Sequence, residues 1–488
     1  MRIAYLSADF GVPIHGTKGA SIHVREMVRG LSEAGHRVAV FSPALVEAGA
    51  SRSTPIGADR EALADAEGSR GDGPPGSRAA VTRDPERMPS GGSVEFVALP
   101  PEPRHIELLE EIQSIEDRAG IKSRLRQELR NLLYNVPFLE RLRAHLAAHP
   151  VDFIYERYAL FAHAGEALAR ELGVPHLLEV NAPLAEEQER TRGLLLKELA
   201  RESERRVLEG SDAVIVVSRR LAEFAVGCGV AVERVHVLPN AVDPRRFTGP
   251  AVPGPLPGPL AARLSGRNVI GFVGTLKPWH GIETLIDAFA LLRARHERAH
   301  LLIVGDGPGR AALVDQVARH GLEDAVTFTG AVAHDEIPGH LAAMDVAVAP
   351  GTPSENFYFS PIKLFEYLAA GRPVVAGAIG QIEELVTDGE TALLFEPGRS
   401  DRLAATLERL VTDPALGRRI GENGRAWVCR ERTWAANAAR VVEIARELMS
   451  PIEDRAPRPN AHREDSAPPT RADRPAAAAT GRRPGGTP

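Results

Sequence analysis

RIAYLSADFGVPIHGTKGASIHVREMVRGLSEAGHRVAVFS, Arg2 to Ser42, is the stretch that decides the fold. Arg2 to Ala8 reads as a buried strand. Ala20 to Ala34 reads as a helix that gathers Val24, Met27, Val28 and Leu31 on one face and stops at Gly35. His36 to Ser42 is a second strand. A strand, a helix and a strand in this order imply a parallel, doubly wound α/β sheet, and the joining loop, Gly11 to Ser21, then lies beyond the carboxyl ends of the strands, where such sheets bind ligands. Gly16 and Gly19 let backbone approach a ligand, and Lys18 is placed to meet a phosphate. The spacing is neither that of a dinucleotide fingerprint nor that of a Walker A loop, so a plain turn also explains these glycines.

Outward from this unit, the βα alternation continues through strands at Ser93–Leu99, Val151–Glu156, His176–Asn181, Ala213–Ser218 and Val235–Pro239, with a long charged helix running to Leu208. A first domain over 1–240 results. Within it, 44–92 turns to Ala, Gly, Pro, Ser, Arg and Asp without apolar period, the composition of a disordered insertion; its Arg70–Asp72 triplet is a chance match to an adhesion motif. A Pro- and Gly-rich linker occupies 241–267. A second βα series fills 268–432, a closing helix covers 433–450, and the Pro-, Ala- and Arg-rich tail 451–488 reads as disordered. Two doubly wound domains joined by a hinge present their loop ends across a cleft.

A chain of 488 residues, 43% hydrophobic and 25% charged, can bury two such cores. The net charge of −6 supplies no basic stripe of the kind that nucleic-acid binders carry. Cys228 and Cys429 stand far apart, which argues for a reducing compartment and against a structural zinc. The N-terminus lacks the apolar region of a leader, and no run of eighteen apolar residues occurs, so the expectation is a cytoplasmic protein. One segment, 120–146, is basic and amphipathic, with Leu125, Leu129, Leu132 and Leu133 on one side. It fits a peripheral contact with the inner membrane face, although a solvated helix packed on its own domain is the commoner use of such a pattern.

The chemistry concentrates in PSENFYFSPIKLFEYLAAGRPVVAG, Pro353 to Gly377. Ser360 suits an N-cap, Pro361 the first helical position, and Gly371 the stop. With Lys363 three residues in, the positive helix end is reinforced, and the N–H groups of Ile362, Lys363 and Leu364 make an anion seat. Glu366, one turn on, can accept from the hydroxyls of a ribose. An ordinary α/β helix with a surface Lys–Glu pair fits these residues equally. A second loop, GFVGTLKPWHG (Gly271–Gly281), places Gly274 at a strand end, with Lys277 suited to a diphosphate and His280 to donate to it, and Trp279 as a wall or as core. Two cationic loops at one sheet edge favour the diphosphate. The glycine loop at Gly305–Arg310 carries little by itself.

These motifs, with VLPNAVDPRRF and ELVTDGETALLFEPG, resemble in order and spacing the retaining glycosyltransferases of family 4, whose GT-B fold has two Rossmann-like domains. The resemblance covers Met1 to about Ser450 apart from the insertion. It implies transfer of a hexose from a UDP-, GDP- or ADP-linked sugar to an acceptor it does not name, without a metal or other cofactor, the leaving diphosphate taking the acceptor proton. By the same resemblance Glu366 holds the ribose, Lys277 and His280 the diphosphate, Ser360, Pro361, Ile362 and Lys363 cradle the phosphates, Gly16 and Gly274 lie near them, and Gly330 to Val332 lie by the base. Lys18 and Asn181 are acceptor-side candidates. The chain departs from the family where Tyr358 stands in place of the first of two motif glutamates, where Lys277 and His280 replace the usual Arg and Lys, and where Asn181 replaces a histidine. A nucleotide-sugar sensor or inactive partner subunit, and a nucleotide-sugar epimerase, are the alternatives.

Overall fold

The first sheet is built from β1 (Arg2–Ser7), β2 (Arg37–Ser42), β3 (Glu86–Arg87), β4 (Ser93–Ala98), β5 (Phe153–Arg157), β6 (His176–Val180), β7 (Ala213–Val216) and β8 (Val235–Val237). Their spatial order is β3-β4-β2-β1-β5-β6-β7-β8. Only β3 pairs antiparallel among these strands; the rest are parallel, with Ile3 opposite Val38 on one side and Phe153 on the other. Strands buried on both faces read as near-continuous apolar runs, which is why IAYL of β1 and AVIV of β7 carry no charge. The second sheet contains β9 (Asn268–Val273), β10 (Ala299–Val304), β11 (Val326–Phe328), β12 (Val346–Ala349), β13 (Val374–Gly377) and β14 (Leu393–Phe395), all parallel, in the order β11-β10-β9-β12-β13-β14. In each sheet the order reverses beside the first strand, at β1/β5 and β9/β12, and the loops that follow β1 and β9 open there.

This computed structural model describes residues 1–45, 86–87, 91–247, 256–354 and 357–450, and Met1–Met449 form one compact unit. Most of the insertion at 44–92, part of the linker, Glu355 and the tail from 451 lie outside the described residues. Both sheets are covered on two faces. One face of the first sheet packs the helix Gly19–Glu33 through Val24, Met27, Val28 and Leu31, together with Trp434, Ala438, Val441 and Ala445 of the helix Trp434–Met449. That last helix thus lies on the first lobe. The two helices meet so closely that a Cβ on Gly30 would stand 2.9 Å from the Trp434 carbonyl oxygen.

Several local readings are corrected. The charged stretch to Leu208 is two helices, Leu184–Arg192 and Lys197–Gly210, parted at Gly193, whose φ of +82° ends the first. The linker holds a helix, Gly258–Leu264, and a short 3-10 turn, Pro244–Phe247, because Leu264 and Phe247 find apolar partners in the second core. The basic segment belongs to the helix Leu125–Ala148, whose buried face is Tyr134, Phe138, Leu142 and Leu146; Leu125, Leu129, Leu132 and Leu133 are only partly covered. Among the described residues, no helix is long and apolar enough to cross a membrane.

Candidate functional site

After β9 the chain turns at Gly274, φ +147°, and a Cβ there would lie 2.8 Å from Lys363 Nζ. Glycine at this point lets the ammonium reach the sheet edge. Lys363 is partly covered, with its Nζ 4.3 Å from the centre of the Phe272 ring. Burial pushes this ammonium down to about 7, and Glu366 opposes the shift. Lys277 Nζ sits 4.7 Å over the ring of Trp279, and Trp279 is 44% exposed, so this tryptophan is a wall rather than core.

His280 reverses an expectation. Its Nδ1 lies 2.6 Å from the Thr275 carbonyl oxygen, which can only accept, so Nδ1 bears the proton. Burial first, and then the Lys363 and Lys277 charges, push the imidazole down to about 3, although the Thr275 bond works the other way. The neutral ring therefore offers Nε2 as an acceptor. It cannot donate to a phosphate in this state; a hydroxyl suits it.

The helix of the focal motif spans Ile362–Ala369, and Pro361 is its N-cap residue. Ser360 is not the cap, because its Oγ accepts from Asn240 N at 2.9 Å and its carbonyl accepts from Asn240 Nδ2. Leu364 N–H is also spent, on the Pro361 carbonyl at 3.0 Å. Ile362 and Lys363 keep N–H groups without a partner among the described residues, so the anion seat is two donors and an ammonium. Glu366 is buried in the next turn and accepts from His334 Nε2 at 2.7 Å. Val332 is partly covered and packs on the second core two residues before that histidine.

On the first-lobe side, Gly19 faces this helix: a Cβ on it would lie 4.0 Å from Ile362 Cδ1. The two loops picked out in the sequence therefore meet. Arg25 Nη1 grips the loop by donating to the carbonyls of Ile14 and Gly16, both at 2.7 Å. Gly16 N–H donates to Pro13 O at 3.0 Å, so Gly16 gives close approach but no donor. Lys18 is exposed and bends back to the Gly11 carbonyl at 3.3 Å. Asn181 donates its amide to Glu179.

Glu179 also binds Tyr155, Arg157 and His23. Burial by itself would raise its carboxyl, but the neighbouring His23, Arg157 and Tyr155 hold it well below the usual carboxylate range. His23 Nε2 lies 2.8 Å from Glu179 Oε2 and its Nδ1 2.6 Å from Asn240 Oδ1, so the ring bridges the two side chains. The chain of bonds Glu179–His23–Asn240–Ser360 thus ties β6 to the loop before the focal helix. No local sequence pattern signals it; its bonded partners lie up to 217 residues apart.

Tyr358 does not face the seat. It is 3% exposed and packs among Tyr158, Leu178, Val216 and Val217 of the first lobe, its hydroxyl on Glu187 and its carbonyl accepting from Ser218 Oγ at 2.8 Å. Gly305 and Gly307 serve packing: Cβ atoms there would strike the backbones of Gly274 and Leu276.

Residues 18–241 match the family model for a glycosyl transferase 4-like domain, and 267–413 the model for glycosyl transferases group 1. A GDP-mannose-dependent alpha-(1-6)-phosphatidylinositol monomannoside mannosyltransferase of Mycobacterium tuberculosis is 32% identical over 322 residues, covering 63% of this chain and 78% of that one. The chain belongs to the glycosyl transferases group 1. A 2-deoxystreptamine glucosyltransferase of Streptomyces kanamyceticus is 34% identical over 272 residues, 55% of this glycosyltransferase and 69% of the relative. Among solved structures, the sucrose-phosphate synthase of Thermosynechococcus elongatus superposes over 92% of this chain and 98% of its own, with a TM-score of 0.62 and 22% identity. Two facing Rossmann-like domains give the glycosyltransferase the GT-B fold. The sequence reading of its site missed His334 and Arg246, the latter inside the VLPNAVDPRRF stretch that had helped to carry the resemblance.

Proposed function

We propose that the protein is a metal-independent, retaining hexosyltransferase that uses a nucleotide-diphosphate sugar. The observation that carries this reading is the convergence, at the carboxyl edge of the second sheet, of Lys363 beside Gly274, the N–H groups of Ile362 and Lys363, which have no partner among the described residues, and Glu366, with Gly19 of the first lobe facing Ile362. Two N–H dipoles and an ammonium match a diphosphate, and Lys277 at the rim adds a second cation as charge develops on the leaving group. Glu366 has one oxygen on His334 and the other for a ribose diol. Val332, two residues before His334 and partly covered by the second core, is the candidate to lie by the base. In a front-face displacement the bond from the anomeric carbon to the phosphate oxygen breaks, a bond to the acceptor oxygen forms on the same face, and the acceptor proton passes to the leaving phosphate. His280 Nε2 accepts from a sugar hydroxyl.

The mannosyltransferase relative is named as GDP-mannose-dependent, which puts GDP-mannose first in a panel that also holds UDP- and ADP-sugars. The acceptor is a glycan, a glycolipid or a small molecule. Exposed Ile121 and Val136 within 120–146 support a peripheral membrane contact through that segment, and cosedimentation with anionic vesicles tests it. For the main reading, the panel is incubated with candidate acceptors in EDTA. Turnover with the anomeric configuration kept is the expected outcome. Inversion of configuration or dependence on added metal would refute the corresponding part, and tight binding without turnover would favour the sensor.

A further inference from the structure

Glu366 is held from behind by a relay that crosses three parts of the fold. Its Oε1 lies 2.7 Å from His334 Nε2. His334 Nδ1 lies 2.9 Å from Arg246 Nη1, and Arg246 Nη2 reaches the His334 carbonyl at 3.1 Å and Asp335 Oδ1 at 2.9 Å. A guanidinium can only donate, so His334 Nδ1 accepts and the ring proton sits on Nε2, aimed at Glu366. Arg246 Nη1 also donates to Glu26 Oε1 at 3.2 Å, on the first-lobe helix Gly19–Glu33. Glu366, His334, Arg246 and Glu26 are 7–17% exposed, whereas Asp335 stands in solvent at 94%.

Each link has a defined direction. Glu26 and Asp335 fix the guanidinium, the guanidinium fixes the imidazole tautomer, and the tautomer fixes which Glu366 oxygen is occupied. A carboxylate so held presents its second oxygen in one orientation, whereas an unheld one would rotate about its last torsion. Arg246 sits on the 3-10 turn Pro244–Phe247, whose Phe247 is packed in the second core, so its bond to Glu26 is the one link of the relay that spans the lobes. The same first-lobe helix begins beside the loop held by Arg25, so one contact reports the position of that loop to Glu366.

Resting on the reading of Glu366 as the ribose holder, we infer that His334 and Arg246 are positioning residues for the nucleotide ribose, the second acting through the first and coupling it to Glu26 of the first lobe. Neither touches the substrate. Their contribution is selectivity for a ribose diol rather than affinity for the diphosphate, and this separates them from residues that merely support the fold.

The test compares UDP, GDP and ADP with their 2′,3′-dideoxy analogues by calorimetry. In the unaltered protein the tightest nucleotide should exceed its dideoxy form by roughly tenfold or more, the scale of a hydrogen bond to a charged group. Glu366→Gln and His334→Ala should both collapse that ratio to within about twofold of unity; the ratio is the readout, because Glu366 also supports the Lys363 charge that holds the diphosphate. His334→Gln, which keeps a donor near Nε2, should restore most of it. Arg246→Met leaves the imidazole but frees its tautomer and should give an intermediate ratio; it also serves if His334→Ala does not fold. If Glu366→Gln flattens the ratio while the His334 and Arg246 variants keep it, the relay is overturned and the ribose reading stands. If Glu366→Gln keeps the ratio, or no nucleotide binds, that reading fails and the inference falls with it.

Discussion

Lys363 makes the binding of a nucleotide sugar depend on pH in a calculable way. Its ammonium sits near 7 in the free protein, lowered by burial. The two phosphates of a nucleotide sugar are diesters and carry a constant charge from pH 5 to 9, so the ligand adds no titration of its own in that window. A bound diphosphate raises the Lys363 pKa, and the complex then holds more protons than the free protein at any pH above about 7. The sign follows: affinity is full below that value and is lost as pH rises through it. With a midpoint near 7, roughly nine-tenths of Lys363 is charged at pH 6 and roughly one-tenth at pH 8. Affinity should therefore fall about tenfold between these pH values, or about 1.4 kcal/mol. At pH 8 binding should take up roughly 0.9 proton. His280, held near 3, does not titrate in this window. Calorimetry in two buffers of different ionisation enthalpy measures both quantities on the best ligand of the panel, without acceptor. Lys363→Met should remove the pH dependence and leave affinity at the alkaline level of the unaltered protein. A flat affinity from pH 6 to 8 with no proton uptake would refute the argument.

Asn240→Ala leaves His23 Nδ1 and the Ser360 carbonyl without buried partners and should cost roughly 1–3 kcal/mol in urea unfolding; an unchanged midpoint would show the bonds to be idle. Tyr358→Phe keeps the buried ring and removes the hydroxyl from Glu187. It should cost about 1 kcal/mol of stability and leave nucleotide-sugar affinity unaltered, whereas a tenfold loss of affinity would return Tyr358 to the site. Gly281→Ala forces a side chain into φ +68° with its Cβ 2.4 Å from the Gly351 carbonyl oxygen. Its thermal midpoint should drop by the equivalent of roughly 1–3 kcal/mol, and a variant as stable as the parent would contradict that close contact.

Both sheets were legible because buried parallel strands are apolar throughout and their helices carry a period that neighbours can read. Lys363, Glu366 and Gly274 were legible for a related reason: their geometry is set within one turn or one strand end. What stayed hidden depends on distant partners. Ser360 has every local mark of an N-cap, yet its hydroxyl is taken by Asn240, 120 residues earlier. His280 looks like a phosphate donor until the Thr275 carbonyl claims its proton-bearing nitrogen. Tyr358 stands where the resemblance implies a glutamate, but the first lobe offers an apolar socket that an aromatic ring fills. The relay through Arg246 and His334 joins residues 88 apart and has no periodic signature.

The helix Trp434–Met449 has a consequence for biosynthesis. Trp434, Ala438, Val441 and Ala445 are part of the core that also holds Ile3, Tyr5, Val24 and Met27. A ribosome therefore releases the amino-terminal half long before its last wall exists, and that half waits with an uncovered apolar face while the second lobe is made. Domains that emerge first ordinarily close first. Here the order is inverted: a chain ending at Arg432 would carry every loop of the site and still lack the piece that seals its beginning.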